Sequence, residues 1–310
     1  MISFVLLSMP IFGLVALGWA AVKAELTPPA ALDALGAFSF RFALPALVMR
    51  LIASEPLGRS FNPTFFAGYF ASGCLMFALT FGVSHLLQRQ RSSVAGAHAT
   101  SATVSNLGFL GPPIVLAFFG QRGAGPLAMA IVAEVMILMS VGAAIMAGSE
   151  RGRVGAGPLI LKSTIYNPVI VAIVAGAAIA AAGVALPVPV DRFLALLGAS
   201  AAPTALFAVG GALAVQRIKR STGFAAAGVT MVKLVIYPLT VWCVLAHVLR
   251  IEPFWSGTGV LIASLPSAGS NYVLAQRYAA DADQVSAAIV LSTIVSVVTV
   301  PWVGWLVAPS

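Results

Sequence analysis

Runs of about twenty apolar residues fill the chain from end to end, parted by short polar or glycine- and proline-bearing breaks. Ten runs are read, at 3–21, 32–52, 64–87, 94–119, 124–148, 163–185, 191–215, 222–248, 255–278 and 284–307. Each is long enough for a helix to cross ~30 Å of hydrocarbon. The fourth and ninth differ from the rest, because their centres are polar and rich in helix breakers. The fourth reads SATVSNLGFLGPPIVLAFFG over 101–120, with Asn106, Gly108, Gly111, Pro112 and Pro113 at its middle. The ninth carries SLPSAGSNYVLAQRY, with Pro266, Ser267, Gly269 and Asn271.

The pattern repeats. Pro10 and Pro168 lie 158 positions apart, as do Pro29 and Pro187, Asp33 and Asp191, and Pro45 and Pro203. Further along the offset drifts to 161, matching Ala102 and Gly108 to Ala263 and Gly269. Span one thus repeats as span six, two as seven and four as nine. The halves are 1–148 and 163–310, joined by a connecting loop at 149–162. With five spans in each, the second half enters the membrane from the opposite face, the inverted-repeat plan of secondary transporters.

The two breaks then acquire a purpose. Proline removes a backbone donor and clashes with the carbonyl one turn back, so Pro112 and Pro113 are expected to open span four, as Pro266 opens span nine. Unpaired backbone groups do not face lipid but do line protein-enclosed cavities. The positive N-terminal ends of half-helices attract anions, and Asn106, Ser267 and Asn271 supply hydrogen bonds. A substrate site built from Asn106, Gly108, Gly111, Pro112, Pro113, Pro266, Ser267, Gly269 and Asn271 is therefore expected at the midplane.

Composition narrows the class. Of 310 residues, 60% are hydrophobic and 8% charged, with a mean hydropathy of +1.01. Soluble domains carry about 25% charged residues, so the chain is an all-α polytopic membrane protein. The first span lacks a basic flank and a small-residue cleavage site, so it reads as a retained span and not a secretory signal. Cys74 and Cys243 fall inside apolar runs and read as packing residues.

Charge then sets orientation. Apart from Arg41 and Lys233, fifteen Lys and Arg divide ten to five between alternate sides. The positive-inside bias puts loop 149–162 in the cytoplasm and both termini outside. The net charge of +8 belongs to those loops, and nucleic-acid binding is not expected.

SNLGFLGPPIVLAFFG, the half-matching ASLPSAGSNYVLAQRYAADAD and FALPALVMRLIAS over 42–54 resemble the auxin efflux carrier family. The resemblance is to bacterial members, similar to PIN-type and malonate-type carriers, and it covers essentially the whole chain. It implies ten spans with broken, crossing spans four and nine, in a fold like that of sodium/proton antiporters and bile-acid transporters. It also implies a scaffold of spans one, two, six and seven, and a transport domain of spans three, four, five, eight, nine and ten that slides in an elevator-like cycle. Organic-anion substrates, a bacterial inner-membrane location and a homodimer belong to the same implication. The family's polar crossover positions carry over to Asn106 and Ser267. PIN-type carriers have an amide after the ninth-span proline, where this chain has Ser267, with Asn271 a turn later. The long cytoplasmic loop of plant members is absent.

Ionisable residues inside a membrane need a reason, since each costs ~2.5–3.5 kcal/mol at the bilayer centre. Glu134 in span five is read as the carrier of a coupling proton or the counter-charge of a cation such as sodium, or else as paired to a structural partner. Lys233 in span eight is read as attracting the anion, pairing with Glu134 or snorkelling. Arg41, nine residues into span two, is expected to reach a carboxylate.

No metal-ligand spacing, Walker loop or cluster of nucleophile and base is present, so no cofactor, bound metal or enzymatic activity is expected. The crossover holds Asn and Ser where cation antiporters hold acidic pairs. The expected function is transport of a small organic anion. The alternatives are an ion-coupled carrier of the same design with another substrate, or a non-transporting membrane sensor.

Overall fold

The computed structural model describes residues 2–148, 167–216 and 223–307, and their regular structure is helical apart from one two-residue bridge. The connecting loop 149–162 lies outside the described residues. So do Arg217, Lys219 and Arg220, which contributed to the charge count.

Seven helices of the described residues are long and apolar enough to cross a membrane. They are α1 (Ile2–Lys23), α2 (Pro29–Ala53), α3 (Pro63–Leu87), α6 (Gln121–Gly148), α8 (Val188–Val215), α9 (Gly223–Val248) and α12 (Ala282–Val307). The other three expected spans are shorter. The sixth is α7 (Pro168–Ala182). The fourth is split into α4 (Ser92–Thr103) and α5 (Gly111–Phe119), and the ninth into α10 (Pro253–Ala263) and α11 (Ser270–Arg277).

Prolines mark where helices begin. Pro29, Pro112, Pro168 and Pro253 stand in the first turn of their helices, where the missing N–H has no intrahelical acceptor to lose. At Pro168 the turn is also capped, the Asn167 side chain accepting from Val169 N at 3.0 Å. The sequence expectation needs adjusting here. Pro112 and Pro113 do not interrupt a running helix. The chain has already left helical form at Val104, and the pair starts α5.

The chain divides into two compact units. The first holds Met1–Asn62, Gly108–Met129 and Thr164–Gln216. Its helices approach until backbones touch. A Cβ at Gly210 of α8 would lie 1.9 Å from Val15 O of α1, and one at Gly18 of α1 would lie 2.1 Å from Phe207 O. Small residues permit such approach between membrane helices. Against α2, Gly176 of α7 and Gly198 of α8 play the same part, at Met49 and Leu47. Arg50 clamps Asp191 through two hydrogen bonds, Nε to Oδ1 at 2.7 Å and Nη2 to Oδ2 at 3.1 Å.

The second unit holds Pro63–Leu107, Ala130–Ser163 and Arg217–Ser310. Helix α4 is made almost wholly of small residues and is buried along most of its length. It packs so closely on α6 that a Cβ at Gly142 would meet Thr100 Oγ1 at 2.0 Å. Three of this unit's long helices contain π turns, at Val83–Leu87, Val132–Leu138 and both Val232–Ile236 and Cys243–Val248. Such turns shift side chains out of the α register and often accompany functional positions.

Candidate functional site

The interruptions of the fourth and ninth spans meet within the second unit. Ser105 faces Ser267 as an isolated antiparallel bridge. Asn106 N donates to Pro266 O at 2.8 Å, and Ala268 N donates to Val104 O at 3.1 Å. Pro266 stands where only a carbonyl is asked of it. Backbone polar groups at membrane depth must all find partners, and the remaining donors here do. Ser105 N donates to Glu134 Oε2 at 2.6 Å, Leu107 N to Ser105 O at 2.7 Å and Ser267 N to Ser292 Oγ at 3.1 Å.

Glu134 lies in the π turn of α6 and has no exposed surface. Besides Ser105 N, its carboxylate accepts from Tyr69 Oη at 2.5 Å, Tyr237 Oη at 3.1 Å and Ser105 Oγ at 3.1 Å, all three at Oε1. Hydrogen bonds to an ionised acceptor are worth ~1.5–3 kcal/mol each. Four of them offset the cost of a charge buried in this unit.

Lys233, in the π turn of α9, is likewise fully buried. Its ammonium donates to Ala263 O at 2.5 Å. That carbonyl is the last of α10, at the negative end of the helix, where a cation is favoured. The ammonium also sits 4.9 Å from the centre of the Tyr237 ring. Its field acts on Glu134, yet among the described residues the two form no direct ion pair, Arg50–Asp191 being the pair recorded. Tyr237 links them, giving its hydroxyl to the acid and its ring face to the base.

Asn271, on the first turn of α11, is 2% exposed. Its Nδ2 donates to Ser267 Oγ at 3.1 Å and lies 3.4 Å from Val104 O. Its Oδ1 has no partner among the described residues. Gly269 is exposed beside it, with nothing within 4 Å of where a Cβ would stand.

The residues singled out in the sequence divide between the units. Asn106, Pro266, Ser267, Gly269 and Asn271 come together in the second, with Glu134 and Lys233. Gly108, Gly111, Pro112, Pro113 and Arg41 belong to the first. There a Cβ at Gly108 would stand 3.5 Å from the Phe40 ring, and Phe40 meets Phe109 edge-on at 6.5 Å. Arg41, next in the chain, is exposed and has no hydrogen bond or ion pair among the described residues. Four participants escape a reading of the sequence: Tyr69, Ser105, Tyr237 and Ser292. The available signal was weak, a tyrosine in an otherwise apolar run, in FAGYFASG and KLVIYPLT.

No group of three or more His, Cys, Asp or Glu among the described residues is arranged to hold a metal ion.

Comparison with known proteins places the chain in a family. A family model described as "Membrane transport protein" matches residues 4–158 and 154–303. A protein of Rhizobium meliloti (strain 1021), named "Putative malonate transporter", is 31% identical over 307 residues, covering 97% of this chain and 95% of that protein. An "Uncharacterized transporter" of Methanothermobacter thermautotrophicus is 30% identical over 224 residues, 71% of each chain. The chain is thus a multi-pass membrane transport protein and belongs to the auxin efflux carrier family.

Proposed function

We propose that the chain is a secondary transporter of a small organic anion, with malonate-class dicarboxylates the first candidates, working by alternating access. The observation that carries this reading is the antiparallel pairing of the two interrupted spans at Ser105 and Ser267, deep among buried polar groups. A protein that only crossed a bilayer would gain nothing from replacing two helices by extended peptide there, since each donor must then be satisfied one by one. The malonate description of a relative matched along nearly its whole length favours the dicarboxylate class.

On this reading the substrate is held at the crossover in the second unit. Asn106, Ser267 and Asn271 offer hydrogen bonds, and the N-terminal end of α11 offers a positive field. Lys233 supplies fixed positive charge beneath the site. Glu134 holds the Ser105 turn in place and balances that charge. Ten crossings are read as two inverted halves of five, with both termini outside. The scaffold role is assigned to the unit with α1, α2, α7 and α8, which also takes in α5 and the start of α6 (Gly108–Met129), placed with the transport domain by the sequence expectation. The unit with the crossover is then the moving body of an elevator cycle.

Uptake of radiolabelled malonate, succinate and an aromatic acid into liposomes holding the purified protein tests the reading. One of the dicarboxylates is expected to accumulate, and Asn271→Ala to lower the uptake. Absence of uptake for every anion, together with no thermal stabilisation by any, refutes it.

A further inference from the structure

One buried titratable group stands apart from the Glu134 centre. His98 lies midway along α4 and is 4% exposed. Its Nδ1 is 2.8 Å from Ser84 Oγ, in the π turn that ends α3. Its Nε2 has no hydrogen-bond partner among the described residues, and neither has Nε2 of the buried Gln284 on the first turn of α12. Gln284 is nevertheless the ring's polar neighbour on that side, and the field of Asp281 reaches the ring. Asp281 caps α12, accepting from Gln284 N at 3.3 Å through Oδ1, and is itself exposed. It does so with a left-handed backbone (φ 52°), which costs a non-glycine residue about 1 kcal/mol or more.

The charged and titratable groups on the elements packed against α4 are Asp281 and Asp283 at α12, Arg277 at the end of α11, Glu134 on α6, Lys233 on α9 and, beside Ser84 in the π turn of α3, His85, whose Nδ1 lies 2.9 Å from Gln90 O. Arg277 lies over the Tyr278 ring at 5.7 Å, and Glu134 and Lys233 are engaged as described above. Asp281 is the one whose charge acts on His98.

The two buried titratable centres are therefore unlike. Both carboxylate oxygens of Glu134 are met by donors, four in all. His98 has one nitrogen engaged by Ser84 and the other without a hydrogen bond among the described residues, with Gln284 as its polar neighbour and the charge of the exposed Asp281 acting on the ring. An imidazole whose partners leave a nitrogen free can change charge near neutral pH.

We propose that His98 is the proton-binding site of this transporter. The ring holds its first proton on Nδ1, towards Ser84 Oγ. A second proton arrives from water at the Asp281 surface and is taken by the Nε2 lone pair, so that Nε2–H turns towards the Gln284 amide oxygen and Asp281. The gained hydrogen bond ties the first half of the fourth span to the start of α12, and its loss frees that half. The proposal rests on the transporter reading above and adds the coupling or regulating ion to it.

The test measures malonate uptake by the full chain in liposomes from about pH 5.5 to 8, with equal pH on both sides. Wild type, His98→Gln and Ser84→Ala are compared. Wild type is expected to show a one-proton step in rate. His98→Gln should lose the step while keeping malonate binding, and Ser84→Ala should keep the step with a moved midpoint. A flat wild-type profile, or an unchanged step in His98→Gln, overturns the proposal.

If His98→Gln does not fold, Gln284→Ala and Ser84→Ala decide, because an unmoved midpoint in both counts against the ring. If wild type moves no anion, the transporter reading fails, and the proton site is judged by melting temperature against pH. An inflection lost in His98→Gln upholds the site, and one that persists removes it.

Discussion

Removing Lys233 and Glu134 singly and together separates a balanced buried charge pair from two independent features. Lys233→Met keeps an unbranched side chain one atom shorter and takes away the ammonium. Glu134 is then a buried carboxylate with no counter-charge, and Ala263 O loses its donor at 2.5 Å. Breaking a contacting buried pair from one side costs ~3–5 kcal/mol, because the surviving charge is left uncompensated; Glu134 and Lys233 do not touch, so each single variant is expected to lose less than that. Glu134→Gln does the same from the other side and leaves the ammonium alone in a site with no exposed surface.

The carboxamide is otherwise tolerable. With its oxygen towards Ser105 N, its NH2 faces three hydroxyls, Tyr69, Tyr237 and Ser105, each of which can turn to accept. In Glu134→Gln/Lys233→Met the net charge is again zero. The main residual loss is the unpaired Ala263 carbonyl, ~1–3 kcal/mol. The double variant is therefore expected to be more stable than either single one. The assay is the apparent melting temperature of purified protein in detergent, followed by tryptophan fluorescence. A double variant that melts below both singles, by the sum of their losses, refutes the argument that the two charges compensate one another.

Other outcomes follow from the same structure. Gly210→Ala places a Cβ 1.9 Å from Val15 O and should destabilise by ~1–3 kcal/mol, whereas Gly13→Ala, with nothing within 4 Å, should melt like wild type. Asn106→Ala and Asn271→Ala should each weaken anion binding by about tenfold, the equivalent of one hydrogen bond, with folding judged by gel filtration; unchanged affinity in both removes the crossover as the binding site. Asp191→Asn should cost only ~0–1 kcal/mol, since the pair's side chains are 31% and 35% exposed, and a larger loss in melting temperature would contradict that ranking. Pro113→Ala should melt like wild type, because Pro112 still starts α5 in its first turn; a markedly lowered melting temperature would contradict that.

How much of this was legible beforehand depended on whether a feature leaves a mark in one residue or needs several. The interruptions were legible because Gly and Pro act on their own backbone: both break near the expected places, between Thr103 and Gly111 and between Ala263 and Ser270. The break begins at Val104, eight residues before Pro112, and not at the prolines. Pro112 and Pro113 look like breakers but are starters, a difference that depends on whether the preceding residues are helical. Glu134 and Lys233 stood out because charge is rare in an apolar run. Their partners did not, since Tyr69 and Tyr237 become ligands of a carboxylate only once α3, α6 and α9 are packed. The π turns at both charged residues left no mark either, because one extra residue per turn is invisible in a run that is apolar on all sides. The assignment of Gly108–Met129 to one unit and Pro63–Leu107 to the other also depends on tertiary packing alone.

The two interruptions solve one problem with different chemistry, and the difference accounts for the charges. Each leaves a serine N–H without a helical acceptor. For Ser267 the answer is neutral, the hydroxyl of Ser292 at 3.1 Å, itself donating to Ile289 O at 3.0 Å. For Ser105 it is the carboxylate of Glu134 at 2.6 Å. A hydroxyl would have satisfied that donor too, without the ~2.5–3.5 kcal/mol cost of a charge at membrane depth. Using an acid obliges the fold to supply a base, and Lys233 is the base whose field reaches it. The ammonium is held on Ala263 O, at the end of the other interrupted span's first half. The acid is thus tied to the fourth span's interruption and the base to the ninth's, with Tyr237 touching both. Shifting either interruption would pull one charge away from the other. The charges thus add a second tie between the two interruptions, beside the backbone hydrogen bonds from Asn106 N to Pro266 O and from Ala268 N to Val104 O.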